Sequence, residues 1–179
     1  MEITTERLVL REWTMDDFDE VHAYATDAEV VRYMSFGPNT AEQTRAFLET
    51  SIAQAVAQPR TDFGLAVARR EDGAFLGGAG LHLRSPAKAE LGYVYKRGAW
   101  GHGYATEAAR AMLEFGFRDL GLYRIYALCV PANVGSANVM QKIGMRYEGC
   151  LRANLFARGE FMDTLSFAIL RPEWLSSGG

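Results

Sequence analysis

Residues 97–109 of this 179-residue chain read RGAWGHGYATEAA and set three glycines, Gly98, Gly101 and Gly103, ahead of a run of helix formers. Each glycine costs a folded chain conformational entropy, so the cluster asks for a reason. A glycine-rich turn that opens a helix suits an anion: the first-turn N–H groups lack partners, the helix dipole favours negative charge, and no Cβ blocks the approach. Spacing then separates the phosphate-binding classes. A dinucleotide fold needs Gly-x-Gly-x-x-Gly, but Thr106 stands where the third glycine belongs. A P-loop needs Gly-Lys before Ser or Thr, and no such lysine occurs. Taken alone, the glycines would also serve simply to turn the chain tightly.

Other chemistries are poorly supplied. Cys129 and Cys150 have neither close spacing nor neighbouring histidines to suggest zinc, and two thiols make no disulfide framework. Both are expected to be buried small hydrophobes. No Gly-x-Ser-x-Gly elbow marks a serine hydrolase, and no metal constellation is expected. His22 falls on the buried side of a helix as a satisfied core residue, while His82 faces either a substrate or solvent. The formal net charge of -3 gives no general pull toward nucleic acid or an anionic membrane, so an anion must be bound locally. Hydrophobic residues make up 49% and charged residues 23%, the composition of an ordinary soluble globular domain. No window approaches ~18 uninterrupted apolar residues and MEITTERLVL is not a leader, which leads to a cytoplasmic expectation.

The elements that must carry the glycine turn follow from periodicity. ERLVLREW alternates as a first strand, and Thr14 with Asp17 three residues on predicts an N-cap. Phe18, Val21, His22 and Ala25 then recur at helical spacing. A second helix opens at Thr40 with Gln43 completing a capping box, and the segment between, VVRYMSFGPN, reads as irregular and aromatic. FGLAVAR, AFLGGAGLHL and ELGYVY predict a meander of three strands. The helix after the glycines runs from about Tyr104 to Leu120 and stops at Gly121. LYRIYALCV is a strand apolar enough to be central. Ser136 is predicted to cap a short helix carrying Val139, Met140 and Ile143, and two strands close the chain, about Tyr147 to Asn154 and Glu160 to Leu170. The order is β-α-α-β-β-β-α-β-α-β-β, a mixed α/β sheet with helices on both faces, followed by a flexible tail over 176–179.

GAWGHGYATEAA resembles the acyl-coenzyme A pyrophosphate loop of the GNAT N-acetyltransferase superfamily, and its Trp-Gly-x-Gly-Tyr-Ala-x-Glu-Ala form is similar to the RimJ/RimL branch, which acetylates protein N-termini. TERLVLREW, DAEVVRYM, AELGYVY, NVGSANVMQKIGM and EFMDTLSFAILRPEW each have a counterpart in that branch, in the same order. The resemblance implies a single acyl-CoA N-acyltransferase domain over 1–175 with a mostly antiparallel sheet of about seven strands. It also implies acetyl-CoA as cosubstrate. In the general superfamily loop an Arg or Gln fills the slot that falls on Gly98 here, so Arg97 and His102 become the charges nearest the diphosphate, unless Arg97 faces solvent. The expected coenzyme contacts are Arg97, Gly98, Gly101, His102, Gly103, Tyr104, Ala105 and Thr106, with Ser136 and Lys142 on the short helix. The pantetheine arm would lie as an added strand between ELGYVY and ALCVPAN, held by Gly92, Tyr93 and Val94, with Asn133 on its far side. Without that role Asn133 is a turn former after Pro131.

The reaction implied is direct attack of an amine on the thioester in a ternary complex. An amine with a pKa of ~8 to ~10 must first lose a proton, and Glu90, at the start of the cleft-lining strand, is the candidate base. The alternative is an exposed strand-end carboxylate. The leaving thiolate benefits from a donor, and the tyrosine that many superfamily members use for this falls on Met140. Ser136 takes the acid role in its place, although N-capping alone would account for it. Acceptor contacts are expected from Tyr33, Met34, Phe36, Asn154, Phe156 and Arg158, with ordinary packing or loop surface as the alternative for each. The branch resemblance ranks a peptide or protein N-terminal amine first, ahead of a small-molecule amine or aminoglycoside. Loss of the tyrosine and loop arginine fits a non-catalytic acyl-CoA-binding sensor; retention of Glu90, Asn133 and Ser136 fits an enzyme. A homodimer is common in the branch, and no nucleic acid or membrane partner is expected.

Overall fold

Strands and helices arise where period-two and helical patterns meet a turn signal, and the computed structural model describes residues 1–176. The strands are β1 (Glu2–Thr4), β2 (Leu8–Arg11), β3 (Asp62–Arg69), β4 (Phe75–Ser85), β5 (Lys88–Tyr95), β6 (Arg124–Cys129), β7 (Arg146–Ala157) and β8 (Glu160–Leu170). The helices are α1 (Phe18–Thr26), α2 (Ala28–Val31), α3 (Ala41–Ala55), α4 (Tyr104–Arg118), α5 (Val134–Lys142) and α6 (Arg171–Ser176). All eight strands join one sheet in the order β1-β2-β3-β4-β5-β6-β8-β7. Every neighbouring pair is antiparallel except β5 and β6.

That exception shapes the molecule. β5 and β6 pair in parallel over only three rungs, Lys88 with Arg124, Ala89 with Ile125 and Glu90 with Tyr126, and then diverge. β5 stays with β4 as far as Tyr95, and β6 stays with β8 as far as Cys129. The sheet therefore opens as a fork above Glu90, with unpaired main chain along both tines.

Each face of the sheet is covered. On one, α4 buries Met112, Leu113 and Phe117 against Leu65, Leu81, Ile125 and Ile169. Full burial of such side chains contributes about 1.5 to 3 kcal/mol each. Gly116 brings α4 close, since a Cβ there would sit 2.6 Å from Ile125 Cδ1. On the other face Trp13, Val21, Tyr24, Leu48 and Phe75 form a second cluster under α1 and α3.

Three elements go beyond the sequence expectation. β1 and α2 are three and four residues long, too short to show a period, and α6 begins at Arg171-Pro172 directly after β8. Val30 and Val31, expected in an irregular segment, are thus helical and buried. Of the expected tail, Ser176 ends α6 and 177–179 lie outside the described residues. Cys129 is buried as expected, but Cys150 is exposed because β7 is the outer strand and none of the described elements covers its outward side. His22 is half-buried and satisfied by Thr44 Oγ1 at 3.0 Å. No described helix is long and apolar enough to cross a membrane.

The entry to α1 is fixed by Asp17, which accepts from the Thr14 amide at 2.9 Å and pairs with both terminal nitrogens of Arg11 at 2.6 and 2.8 Å. Burial alone would raise the Asp17 carboxyl, but Arg11 and Thr14 outweigh it and hold the group below the usual carboxylate range. A lowered folded pKa gives stability that is present above the unfolded value of ~3.9 and is lost as pH falls through the folded one. Asp17→Asn should cost about 2 kcal/mol at pH 7, and urea denaturation should show the gap to wild type closing below pH ~4.

Candidate active site

The glycine turn lies between β5 and α4. Gly101 and Gly103 have φ of 78° and 81°, the left-handed region, and Gly103 is the N-cap residue of α4 with no side chain to cap it. Among the described residues no acceptor meets the amides of Gly101 through Thr106. A Cβ at Gly98 or Gly101 would meet nothing within 4 Å, so the mouth of α4 stands open. Trp100 pins the turn by donating its indole N–H to the Tyr95 carbonyl at 2.8 Å. A set of unmatched amides at a helix N-terminus suits a diphosphate, so the residues present fit coenzyme A here.

Charges around the turn differ in part from the expected set. Arg97 donates through Nε to Asp27 at 2.6 Å and so ties the turn to the α1–α2 junction. The His102 ring stacks on Tyr104 at 5.6 Å and is exposed. Arg7, which the sequence reading missed, donates to the His102 carbonyl at 3.0 Å and lies over Tyr104 at 4.9 Å. Glu107 anchors it, accepting from Arg7 Nε at 2.7 Å, the Arg7 amide at 2.9 Å and the Thr5 hydroxyl at 2.6 Å. Burial would raise the Glu107 carboxyl; those three donors overcome it and hold the group low. Gly103, Thr106, Arg110 and Lys142 line one groove of 1430 Å³ along α4, together with Arg7. Arg110 was also missed, although 103, 106 and 110 fall at helical spacing on one face.

Gly98 has an ordinary φ and open space, so an arginine there can be built without strain. Gly98→Arg should tighten coenzyme A by about fivefold to tenfold, one charge-assisted hydrogen bond discounted for exposure. Isothermal calorimetry would read it, and unchanged affinity would place the diphosphate elsewhere.

Below the turn, the fork opens onto a cleft of 1010 Å³ that reaches from β5 and α5 to the α1–α3 side. Gly92, Tyr93, Val94, Asn133 and Ser136 all line it. Asn133, not Ser136, caps α5: its Oδ1 accepts from the Ser136 amide at 3.1 Å. The Ser136 hydroxyl is thereby free of capping and lies 2.8 Å from the Tyr93 phenol, whose oxygen is also 3.1 Å from the Ser136 carbonyl. Burial pushes the Tyr93 phenol well above its usual range, so it keeps its proton. Met140 is fully buried beside them.

The opposite half of the cleft has a floor of bare backbone. Gly64, Gly80 and Gly92 are direct cross-strand partners on β3, β4 and β5. The next row is polar and crosses four strands, with Asp62 beside His82, His82 beside Glu90 and Glu90 beside Tyr126. Glu90 Oε2 accepts from Arg84 at 2.7 and 3.1 Å and from the Tyr126 hydroxyl at 3.0 Å. The expected base is therefore held by partners at the base of the fork. Asp62 Oδ2 lies 2.8 Å from His82 Nδ1. Burial would raise the Asp62 carboxyl, yet His82, the Gly64 amide and Arg60 hold it below the ordinary range.

Tyr33, Met34, Phe36, Asn154 and Arg158, the expected acceptor contacts, line the other end of the cleft. Arg158 acts as a clasp, donating to the carbonyls of Val31, Arg32 and Met34 and so fastening the β7–β8 turn to the segment after α2. Asn154 donates to Thr164 Oγ1 at 2.9 Å. Phe156 does not line the cleft; it packs on Phe161 at 4.7 Å and remains largely exposed, because β7 points it outward.

The family model described as the acetyltransferase (GNAT) domain matches residues 7–146. The uncharacterized N-acetyltransferase YnaD of Bacillus subtilis (strain 168) is 34% identical over 175 residues, 97% of this chain and 99% of YnaD. A GNAT-family acetyltransferase from Bacillus anthracis superposes with a TM-score of 0.85 at 33% identity, covering 96% of this chain and 99% of the other. RimL, a ribosomal L7/L12 alpha-N-protein acetyltransferase solved with coenzyme A, shares the fold at a TM-score of 0.84 and 18% identity, covering 95% and 98%. An open-mouthed glycine turn above a forked sheet agrees with these matches, and the chain belongs to the GNAT family as an acetyl-CoA-dependent N-acetyltransferase.

Proposed function

We propose that the acceptor is a single primary amine on a largely apolar stem, the α-amine of a peptide or protein N-terminus. The observation that carries this reading is the charge inventory of the cleft. Among the described residues Asp62 and Glu90 are the only carboxylates that line it; Arg84 neutralises Glu90, and both Asp62 oxygens are taken up by hydrogen bonds, one with His82 and one from the Gly64 amide. A polyamine or an aminoglycoside brings several ammonium groups, each of which would be desolvated with no free carboxylate to meet it. One amine followed by uncharged chain suits walls made of Trp13, Tyr24, Tyr33, Met34, Phe36 and Phe47. Loop 97–106 would hold the coenzyme diphosphate and the β5 edge at Gly92, Tyr93 and Val94 the pantetheine arm, which aims the thioester at this cleft. Holding both reactants there supplies ~7 to 11 kcal/mol of the barrier reduction by orientation.

The same reading includes the cytoplasm as its compartment, supported by two unpaired thiols. It also includes a homodimer, supported by exposed Tyr147, Leu151, Phe156 and Phe161 on the outer strand pair. Light scattering at micromolar protein tests the dimer, and a strict monomer removes it. The acceptor is tested by thiol release from acetyl-CoA across short peptides with small or apolar first residues, spermidine, an aminoglycoside and free amino acids. Peptides should exceed spermidine in kcat/KM by about 100-fold, the scale of one unmatched buried charge. A polyamine or an aminoglycoside that wins the panel sinks the reading.

A further inference from the structure

We propose that His82, oriented by Asp62, is the base that takes the proton from the acceptor amine. The proposal rests on the amine-acetylation reading above and adds the proton acceptor to it. Three observations converge. The first is orientation: Asp62 on β3 and His82 on β4 are direct cross-strand partners, and Asp62 Oδ2 lies 2.8 Å from His82 Nδ1. A carboxylate at that distance fixes Nδ1 as the protonated nitrogen and leaves the lone pair on Nε2. The Gly64 amide at 2.9 Å holds the other Asp62 oxygen, so the carboxylate itself is positioned.

The second observation is direction. The ring leans diagonally across to β5, where Nε2 is the atom nearest the place a Cβ on Gly92 would occupy, at 3.4 Å. Gly92 lies two residues past the last rung of the fork, on the strand edge that lines the cleft. Among the described residues Nε2 has no hydrogen-bond partner, and the ring is 38% exposed into the cleft mouth. The bare Gly92 position is thus what lets the imidazole overlook the fork. The third is the state of the alternative: Glu90 offers one oxygen to three donors from Arg84 and Tyr126.

The chemistry balances. The ammonium gives one proton to His82 Nε2, and Asp62 stabilises the imidazolium that results. The freed nitrogen lone pair forms the C–N bond as the C–S bond breaks; the thiolate takes a proton from the Ser136 hydroxyl and leaves as the free thiol, and the second surplus proton of the nitrogen, passed through solvent, restores the serine. His82 then returns its proton to solvent.

His82→Asn keeps a donor for Asp62 and removes the basic lone pair. With the best acceptor from the panel, its kcat/KM should fall by about 100- to 1000-fold, the usual range for a general base. An amine that is already neutral at pH 7, such as trifluoroethylamine, should lose less than about fivefold, because no proton has to be removed first. A uniform loss on both amines, or a smaller loss than Glu90→Gln gives, overturns the assignment. Nitrogen-15 NMR of the His82 ring supplies a readout free of turnover: Nδ1 should be protonated and Nε2 bare, with the tautomers mixing in Asp62→Asn. The reversed tautomer overturns the dyad. If no amine in the panel accepts acetyl, the acceptor reading fails and the tautomer alone decides the dyad.

Discussion

Gly101→Asp should abolish measurable coenzyme A binding, at least a 100-fold loss in affinity, while the fold survives. The position is left-handed, with φ of 78°, so any side chain there strains the backbone by ~1 to 2 kcal/mol. It is also open: a Cβ at this position would meet no atom within 4 Å, so no steric cost is added. What aspartate adds is a negative charge at a helix mouth whose free amides are proposed to receive a diphosphate. Gly101→Asn is the isosteric control: asparagine tolerates the left-handed region and carries no charge. It should lose less than about tenfold, and the gap between the two variants is the electrostatic contribution alone. Calorimetric titration with coenzyme A reads both. Equal losses would mean that backbone shape rather than charge governs the turn, and two small losses would remove the diphosphate from it.

The same turn shows how far sequence reaches. Its glycines are legible in the sequence because backbone freedom and unpaired amides are local properties, fixed by a few consecutive residues. Thr40 with Gln43 and Thr14 with Asp17 were legible for the same reason, both capping boxes closing within four residues. Groups that depend on partners far along the chain were not. Arg158 is written like an acceptor contact, but its three carbonyls lie 124 to 127 residues away. Arg7 and Glu107 are 100 residues apart and meet only because β2 passes the mouth of α4. The Asp62 and His82 pair becomes visible only once β3 and β4 are in register. Asn133 and Ser136 show a local ambiguity of another kind, since either could cap α5 by type; the observed cap is Asn133, which releases the serine hydroxyl. Phe156 failed as an acceptor contact because a one-residue choice of face on a bulged outer strand decides whether a side chain looks inward.

That released hydroxyl carries the second large effect. Ser136→Ala should lower kcat by about 50-fold and Tyr93→Phe by about 10-fold, with the acetyl-CoA KM unchanged in both. Tyr93 sits on a strand that lines the fork, and Ser136 in the first turn of the helix across from it. Only one proton lies between two oxygens 2.8 Å apart, so when the phenol turns its proton from the Ser136 carbonyl at 3.1 Å to the serine oxygen, the serine's own proton is free to point at the departing sulfur. Burial keeps the phenol protonated, which makes it a standing donor that polarises the serine rather than an acid that ionises in its place. The two residues then act as one relay, and the double variant should fall by about 50-fold, not by the product near 500-fold that independent sites would give. A multiplicative double variant would separate them, and a Ser136→Ala enzyme within twofold of wild type would return the serine to a purely structural place in α5. Met140 fits this arrangement. Fully buried and without a donor, it lies one turn beyond Ser136 on α5, which leaves the serine hydroxyl as the proposed donor to the thiolate from that helix.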